Sequence, residues 1–311
     1  MKIAIVGAGL SGLACAEPLA AAGHSVQLFD KARGPGGRMS TRRAQIAAGE
    51  LSFDHGAQYF TARDSVFQTV VNKWQNDGIV AKWPAAGDDA WVGTPSMNAP
   101  IKAMAANLNV SWSNRIDRLE KKKDQWIVHS EDNSPETLFD IVIVALPAEQ
   151  AATLLNPWDK DFAETARDTV SDPCWTVMLA FAEPLPTNKT TLRDGAAIGW
   201  AARNSDKPMR NGLDSWVIQA SPIWSRDHLE DSQDKVLAAL INDFAADLRI
   251  TIPELLHAAA HRWRYARSGS AGVDALYNAE TKLGVCGDWL LGPRIECAWL
   301  SGEALFRRIT D

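Results

Sequence analysis

A glycine-rich turn close to the start of the sequence is the first pattern that could bind a ligand. It reads Gly7-Ala8-Gly9-Leu10-Ser11-Gly12, follows the apolar run Lys2 to Val6 and opens a stretch of small residues. Glycine lets backbone turn tightly and approach a pyrophosphate, and the N-terminus of a following helix adds N–H groups and partial positive charge. The residues of this turn that we predict to bind a dinucleotide are Gly7, Gly9, Leu10, Ser11 and Gly12.

A carboxylate follows at the spacing expected for a ribose contact. Asp30 ends a second predicted strand, Ser25 to Asp30, and Lys31 comes directly after it. A carboxylate at this position accepts hydrogen bonds from ribose hydroxyls and repels a 2′-phosphate. The pattern therefore predicts NAD or FAD as the cofactor, with Asp30 and Lys31 among the binding residues.

The loop after Asp30 separates these two cofactors. It reads Arg33-Gly34-Pro35-Gly36-Gly37-Arg38. Gly36 and Gly37 let backbone approach a ligand, and Arg38 can bind a diphosphate through two hydrogen bonds. The stretch from Asp30 to Arg38 resembles the second fingerprint of the amine oxidase-like FAD superfamily, so we predict FAD.

A third motif lies near the other end of the sequence. Gly287-Asp288-Trp289 follows a buried apolar run, and Glu296 to Gly302 opens a predicted helix. The two segments resemble the terminal FAD motif of the same superfamily. The resemblance implies that Gly287 and Asp288 bind the ribityl-pyrophosphate part, and that Trp299 and Leu300 lie where the helix N-terminus faces the flavin pyrimidine. A helix N-terminus stabilises the negative charge of a reduced flavin.

Three further segments are similar to renalase and its bacterial relatives. They are Phe53 to Phe60, Trp91 to Asn98, and His261 to Ala266 together with Gly292 to Glu296. The resemblance covers nearly the whole chain and is weakest from residue 155 to 255. It implies that Gly56, Ala57 and Gln58 lie against the isoalloxazine and that Ile116 presents backbone to the adenine. A strand-end turn at Gly56-Ala57 and a core position for Ile116 stay open as alternatives.

The order of elements predicts an α/β fold in which a Rossmann-type FAD-binding domain carries a second, mixed antiparallel-sheet substrate domain. Short runs at Val110 to Trp112, Ile116 to Lys121 and Trp126 to Ser130 predict a meander of strands. Buried runs at Ile141 to Leu146 and Leu283 to Cys286 fit a parallel sheet with the first strands. Longer, tryptophan-rich strands in the middle of the chain fit an antiparallel sheet. A helix is predicted from about Gln233 to Leu248, with Ser232 as its N-cap. We expect the FAD-binding domain at residues 1–60, 98–160 and 270–311, and the substrate domain at 61–97 and 161–269.

Composition excludes several other classes of function. The net charge of -6 argues against a nucleic-acid partner, because such proteins present a clustered basic face. Four scattered cysteines without a C-x-x-C pair indicate a reduced, cytoplasmic protein. We predict no membrane span and no metal site, since the sequence has no long apolar run and no spacing typical of metal ligands.

The reaction is inferred mainly from the family resemblance. Renalase-type proteins oxidise 2- or 6-dihydro isomers of NAD(P)H and pass the electrons to oxygen, forming hydrogen peroxide. Hydride transfer needs stacking and alignment but no acid or base, so we predict no catalytic side chain, with His55 as a weak candidate for proton transfer. Two alternatives stay open, a flavin-dependent amine oxidase and a non-catalytic flavin or dinucleotide sensor.

Overall fold

A computed structural model of the chain describes residues 1–47, 49–130, 137–210 and 212–311. The strands within these ranges are, in chain order, β1 (Lys2–Val6), β2 (Ser25–Phe29), β3 (Arg42–Ile46), β4 (Gly49–Phe53), β5 (Val80–Lys82), β6 (Trp91–Gly93), β7 (Asn109–Ser111), β8 (Ile116–Lys122), β9 (Gln125–Ser130), β10 (Leu138–Phe139), β11 (Ile141–Val144), β12 (Asp172–Phe181), β13 (Thr191–Arg193), β14 (Ile198–Arg203), β15 (Ser215–Ala220), β16 (Leu255–Arg267), β17 (Leu276–Asn278) and β18 (Leu283–Val285). The helices are α1 (Leu10–Ala21), α2 (Ser65–Asn76), α3 (Ala99–Ala105), α4 (Ala148–Leu155), α5 (Lys160–Asp168), α6 (Pro222–Asp227), α7 (Gln233–Leu248), α8 (Asp288–Leu291) and α9 (Ile295–Thr310).

A six-stranded sheet holds the glycine turn. Its strand order is β17-β18-β11-β1-β2-β7, with β17 alone antiparallel to its neighbour. The strand β1, the turn, α1 and the strand β2 form the βαβ unit that the sequence predicts. The parallel strands β1 and β11 are buried almost throughout, which explains their continuous apolar character. The predicted Rossmann-like α/β architecture is confirmed.

One strand of this sheet differs from the sequence interpretation. We expected Val110 to Trp112 to begin a meander with the two strands that follow, yet β7 pairs in parallel with β2, where Val110 lies opposite Leu28. Only β8, β9 and β10 form the antiparallel meander. A three-residue edge strand carries too few side chains for its pattern to identify a partner about eighty residues away in the chain.

The middle of the chain forms a five-stranded antiparallel sheet, as predicted. Its order is β13-β14-β15-β12-β16, and β12 lies between β15 and the long strand β16. The helix α7 covers one face through Val236, Leu240 and Phe244, which are fully buried. Its N-cap is Ser232, whose hydroxyl accepts a hydrogen bond from the Lys235 amide at 3.3 Å.

Two segments pack across the domain boundaries that the sequence suggests. The helix α2 and the strands β5 and β6 share a hydrophobic core with β1 and α1. The hairpin β3–β4 instead packs on the five-stranded sheet, where Phe53 meets Met178 and Val217. The division at residues 60, 97, 160 and 269 stays a prediction. The first segment, assigned to the substrate domain, packs with the parallel sheet, and the hairpin, assigned to the FAD-binding domain, packs with the five-stranded sheet. Within the described ranges, no helix has the length and apolar character needed to cross a bilayer.

The crossing of α1 and α9 depends on a missing side chain. A Cβ at Gly302 would lie 2.2 Å from the Ser11 carbonyl oxygen and 2.9 Å from the Ala14 Cβ. Glycine at this position therefore lets the last helix lie directly on the first, which fixes α9 next to the glycine turn.

We expect Gly302→Ala to lower the free energy of unfolding by about 1 to 3 kcal/mol, because the added methyl must push the two helices apart. Chemical denaturation of the apoprotein measures the change. Gly34→Ala is the matched control, since a Cβ at Gly34 would meet no atom within 4 Å. Equal losses in the two variants would contradict the proposed role of Gly302.

Candidate functional site

A cavity of about 1440 Å³ lies between the carboxyl edge of the parallel sheet and the five-stranded sheet. The glycine turn and the Arg38 loop line one part of it, and Trp200, Gln219 and Trp263 line another. The predicted site residues found in its lining are Gly7, Gly9, Leu10, Ser11, Asp30, Lys31, Gly36, Gly37, Arg38, Gly56, Ala57, Ile116 and Asp288. Residues from distant parts of the sequence therefore meet in one place.

The three glycines of the turn have different physical roles. A Cβ at Gly7 would lie 2.4 Å from the Ala145 carbonyl oxygen, and one at Gly12 would lie 2.1 Å from the Gly7 carbonyl oxygen. A Cβ at Gly9 would meet nothing within 4 Å. Gly7 and Gly12 thus allow the turn to pack on the sheet, whereas Gly9 leaves space in the cavity. Gly12 is not part of the cavity lining.

Asp30 lies just beyond the end of β2, beside the turn. Its Oδ2 accepts a hydrogen bond from the Ala8 amide at 2.8 Å, and its Oδ1 accepts one from the Ala32 amide at 2.8 Å. These bonds hold the carboxylate at the mouth of the turn. A carboxylate oxygen has more than one lone pair, so Asp30 keeps capacity to accept from a ligand hydroxyl.

An ion pair joins the two ends of the sequence within the cavity. The Arg38 guanidinium binds Asp288 through two hydrogen bonds, of 2.8 Å and 2.5 Å. Ser268 donates to the same carboxylate at 3.0 Å. The Arg38 side chain is 32% exposed, so one face of the guanidinium stays available to a ligand. Gly287, in contrast, is not in the lining, and its amide donates to the Ser301 hydroxyl.

A tight loop from Asp54 to Gln58 forms another wall. A Cβ at Gly56 would lie 2.1 Å from the Arg38 carbonyl oxygen, and the Ala57 amide donates to that oxygen at 2.8 Å. The Gly56 carbonyl accepts hydrogen bonds from the side-chain amides of Gln58 and Gln219, at 3.1 Å and 2.8 Å. Gly56 and Ala57 line the cavity, whereas Gln58 lies behind them. The predicted role of Gln58 as a residue facing the cofactor is not supported by this placement.

A buried ionic cluster that the sequence did not reveal lies next to this loop. Asp54 accepts hydrogen bonds from Arg210 at 2.6 Å, Lys207 at 3.3 Å and Thr41 at 2.8 Å, and all three charged side chains are at most 3% exposed. Burial alone would raise the pKa of Asp54, but Lys207 and Arg210 lower it to about 2. Asp54 lies within the segment Phe53 to Phe60, which resembles renalase, yet no local sequence pattern indicates Lys207 or Arg210.

His55 is the one titratable ring in the loop. Its ring packs against those of His261 and Trp263, with centroids 4.9 Å and 5.1 Å away. Burial, together with His261 and Arg42, lowers the pKa of His55 to about 4, so the ring is neutral at neutral pH. Its buried Nδ1 has no hydrogen-bond partner among the described residues. At neutral pH His55 is therefore a neutral imidazole in the cavity lining, beside the His261 ring.

The last helix begins one residue before the predicted start at Glu296, which places Trp299 and Leu300 in its second turn. The helix α9 starts at Ile295, and the Ala298 amide already donates to the Arg294 carbonyl. The amides without an intrahelical partner are therefore those of Ile295, Glu296 and Cys297. Ile295 and Ala298 line the cavity, whereas Trp299 and Leu300 do not. The expectation that Trp299 and Leu300 belong to the first turn is wrong, because Arg294 is the N-cap.

Comparisons with known proteins agree with this geometry. Residues 5–74 match the model of the NAD(P)-binding Rossmann-like domain, and residues 84–304 match that of the flavin containing amine oxidoreductases. A segment of 56 residues is 45% identical to 4,4'-diapophytoene desaturase (4,4'-diaponeurosporene-forming) of Staphylococcus aureus strain Newman. That match covers 18% of this chain and only 10% of the desaturase.

Solved structures share the whole fold at low identity. A putative protoporphyrinogen oxidase from Exiguobacterium has a TM-score of 0.76 at 10% identity, covering 99% of this chain and 98% of that chain. A putrescine oxidase variant has a TM-score of 0.71 at 12% identity, covering 99% and 98%. A fatty acid isomerase from P. acnes has the same TM-score, identity and coverage. Identities this low show a common fold only.

The fold and the cavity together define a two-domain enzyme scaffold with a Rossmann-like dinucleotide-binding domain and an antiparallel-sheet substrate domain. Because the second family model spans more than half of the sequence, the chain belongs to the flavin containing amine oxidoreductase family.

We expect Asp54→Asn to lower the free energy of unfolding by about 3 to 5 kcal/mol, because Lys207 and Arg210 would lose their buried counter-charge. The exposed hairpin substitution Asp124→Asn is the control. The loss should be largest above the ordinary pKa of 3.8 and should shrink by about 2 to 3 kcal/mol as the pH falls towards about 2, where wild-type Asp54 also takes up its proton. Denaturant titrations across this range measure it, and a loss independent of pH would contradict the assignment.

Proposed function

We propose that this protein is an FAD-dependent oxidase of the renalase type, which takes a hydride from a 2- or 6-dihydro isomer of NAD(P)H and reduces oxygen to hydrogen peroxide. The observation that carries the proposal is the continuity of one cavity from the glycine turn to a wall of aromatic and arginine side chains. Its volume exceeds the roughly 300 to 1,000 Å³ usual for one drug-sized ligand, which leaves room for both a cofactor and a substrate.

The residues of the first part of the cavity suit FAD. The turn around Gly9 has open space for a diphosphate, Asp30 can accept from a ribose hydroxyl, and Arg38 can bind phosphate oxygens. Asp288 can bind the ribityl chain, and Gly56, Ala57 and Ile116 would contact the rings. When bound, FAD would supply the acceptor for the hydride and the two-electron route to oxygen, which with two protons gives hydrogen peroxide. The protein positions the substrate and excludes water.

The second part of the cavity favours a planar, anionic substrate. Trp200, Trp263 and Tyr265 line it and offer flat surfaces on which a nicotinamide can stack. Arg262, Arg264 and Arg267 on β16 also line it; Glu230 pairs with Arg262 and Arg264, which leaves Arg267 as the best candidate to attract the diphosphate of a dinucleotide substrate. A cationic amine would meet repulsion at the same wall. The neutral state of His55 fits hydride transfer, which needs no general acid or base.

An amine oxidase remains the second candidate because of the family and one feature of the lining. The carboxylates of Asp172 and Asp194 also face the cavity, and either could pair with an ammonium group. Asp172 is already paired with Arg226, which leaves Asp194 as the better candidate for that role. A solved structure of putrescine oxidase bound to putrescine shares the fold at 12% identity. Both enzymes would turn over continuously with their substrate, whereas a non-catalytic sensor would not.

We expect borohydride-generated NADH isomers to bleach the oxidised flavin absorbance rapidly under anaerobic conditions, with β-NADH slower and simple amines slowest. The isomers carry their own driving force and need only stacking and alignment, whereas an amine must first lose its proton. Arg267→Gln should slow reduction by the isomers, and the matched variant Asp194→Asn should leave it unchanged. Rapid bleaching by an amine that Asp194→Asn abolishes would assign the amine-oxidase function instead, and no oxygen consumption with any compound would indicate a sensor.

We expect Asp30→Ala to weaken FAD binding by roughly 1.5 to 3 kcal/mol, the cost of losing a charge-assisted hydrogen bond. Fluorescence titration of the apoprotein with FAD measures the dissociation constant. Because Asp30 also accepts from the Ala8 and Ala32 amides, unfolding of the apoprotein is measured in parallel. Asp30→Asn, which keeps an acceptor, should fall between wild type and alanine. An FAD affinity equal to wild type in the alanine variant would show that Asp30 does not bind the ribose.

A further inference from the structure

A fully buried lysine lies behind the Asp54–Gln58 loop. The Lys207 side chain has no exposed surface, and its Nζ lies 3.3 Å from Asp54 Oδ2 and 3.2 Å from Gln58 Oε1. Its ammonium also lies 5.3 Å from the centroid of the Trp83 ring. None of these side chains lines the cavity, whereas Gly56 and Ala57 do, so the lysine is separated from the cavity by the loop itself.

The charges around Lys207 do not cancel. The charged groups that face it are Asp54 and Arg210, so the cluster contains two cations and one carboxylate. The other hydrogen bonds of Arg210 go to the neutral carbonyls of Gly93 and Pro208. A buried excess of positive charge is costly for folding, and a hydrophobic side chain of similar size would avoid that cost. Stability alone therefore does not account for a lysine at this position.

Gln58 connects the lysine to the cavity wall. Because its Oε1 accepts from Lys207, its amide nitrogen must point the other way, where it donates to the carbonyls of Asp54 and Gly56, at 2.5 Å and 3.1 Å. The Gly56 carbonyl also accepts a hydrogen bond from the Gln219 side-chain amide at 2.8 Å, and the next amide, that of Ala57, donates to the Arg38 carbonyl. The Gly56–Ala57 peptide is thus held by Gln58, Gln219 and the Arg38 carbonyl, and Lys207 contributes by orienting Gln58.

We propose that Lys207 is a positioning residue for the flavin: through Gln58 it fixes the Gly56–Ala57 peptide at the cavity wall, and its positive charge favours electron uptake there. The inference rests on the proposed FAD-dependent function. Burial and the charge of Arg210 lower the pKa of Lys207, and the Asp54 carboxylate partly offsets this effect. The resulting pKa is about 8. The charge is therefore present at neutral pH and is lost in mildly alkaline solution.

The test is the reduction potential of the bound flavin, measured by dithionite titration against a reference dye from about pH 6 to about pH 10. At neutral pH, Lys207→Met should lower the equilibrium constant for flavin reduction about tenfold, which lowers the potential by about 30 mV for a two-electron couple. The difference from wild type should shrink as the pH rises through the pKa of Lys207, since wild type then loses the same charge. Lys235→Met, which removes an exposed lysine paired with Asp231, is the control and should leave the potential unchanged.

Two more variants separate positioning from a merely structural role. Lys207→Arg keeps the charge and should restore most of the potential. Gln58→Met breaks the connection, so its shift and that of Lys207→Met should combine to less than their sum. A Lys207→Met protein that only unfolds more easily, with the wild-type potential at every pH, would overturn the inference.

Wild type alone gives an independent test should the methionine variant not fold. Its potential should fall more steeply with pH above about pH 8, because reduction then draws a proton onto Lys207. A plot without this change of slope would overturn the inference while leaving the proposed function intact. A protein that binds no FAD would overturn both.

Discussion

The arrangement of the cavity depends on the buried ion pairs and hydrogen bonds of the Asp54 carboxylate. This carboxylate is 1% exposed and holds together segments that the chain places far apart: Thr41, the Met97 amide, Lys207 and Arg210. The Asn204 side chain also accepts a hydrogen bond from the Asp54 amide, which links the same point to the residue after β14. One buried anion thus fixes the seam between the parallel sheet, the β3–β4 hairpin and the five-stranded sheet. Because losing one partner of a buried charge is strongly destabilising, these contacts oppose separation of the three elements.

Glycines determine how closely the elements around that seam approach each other. Gly7 and Gly12 allow the turn to pack against Ala145 at the end of β11. Gly302 allows α9 to pack on α1, and Gly56 allows the loop to contact the Arg38 backbone. Each has a neighbouring carbonyl oxygen within 2.4 Å of where a Cβ would stand. The cavity walls are therefore built from backbone contacts, and the polar side chains that face a ligand, such as Asp30 and Arg38, are held by rigid supports.

The sequence predicts this structure best where the cause is local. The strand β1, the turn after it and the cap at Ser232 follow from neighbouring residues, because turn geometry, amphipathic spacing and capping act within a few positions. The partner of β7 and the cations around Asp54 depend on segments about 80 to 156 positions apart, and no local pattern encodes such pairs. The first turn of α9 lies between these cases, since its motif was found but the N-cap at Arg294 was not.

The position of α9 on α1 also has a consequence for how the chain folds during synthesis. The α1 surface around Ser11, Ala14 and Cys15 is covered only when α9 arrives, and α9 lies about 280 residues further along. The strand β18, which completes the parallel part of the sheet beside β11, appears equally late. The glycine turn therefore cannot reach its final packing while the ribosome is still producing the middle of the chain. The five-stranded sheet, whose strands all lie between residues 172 and 267, can form before the nucleotide-binding half is closed.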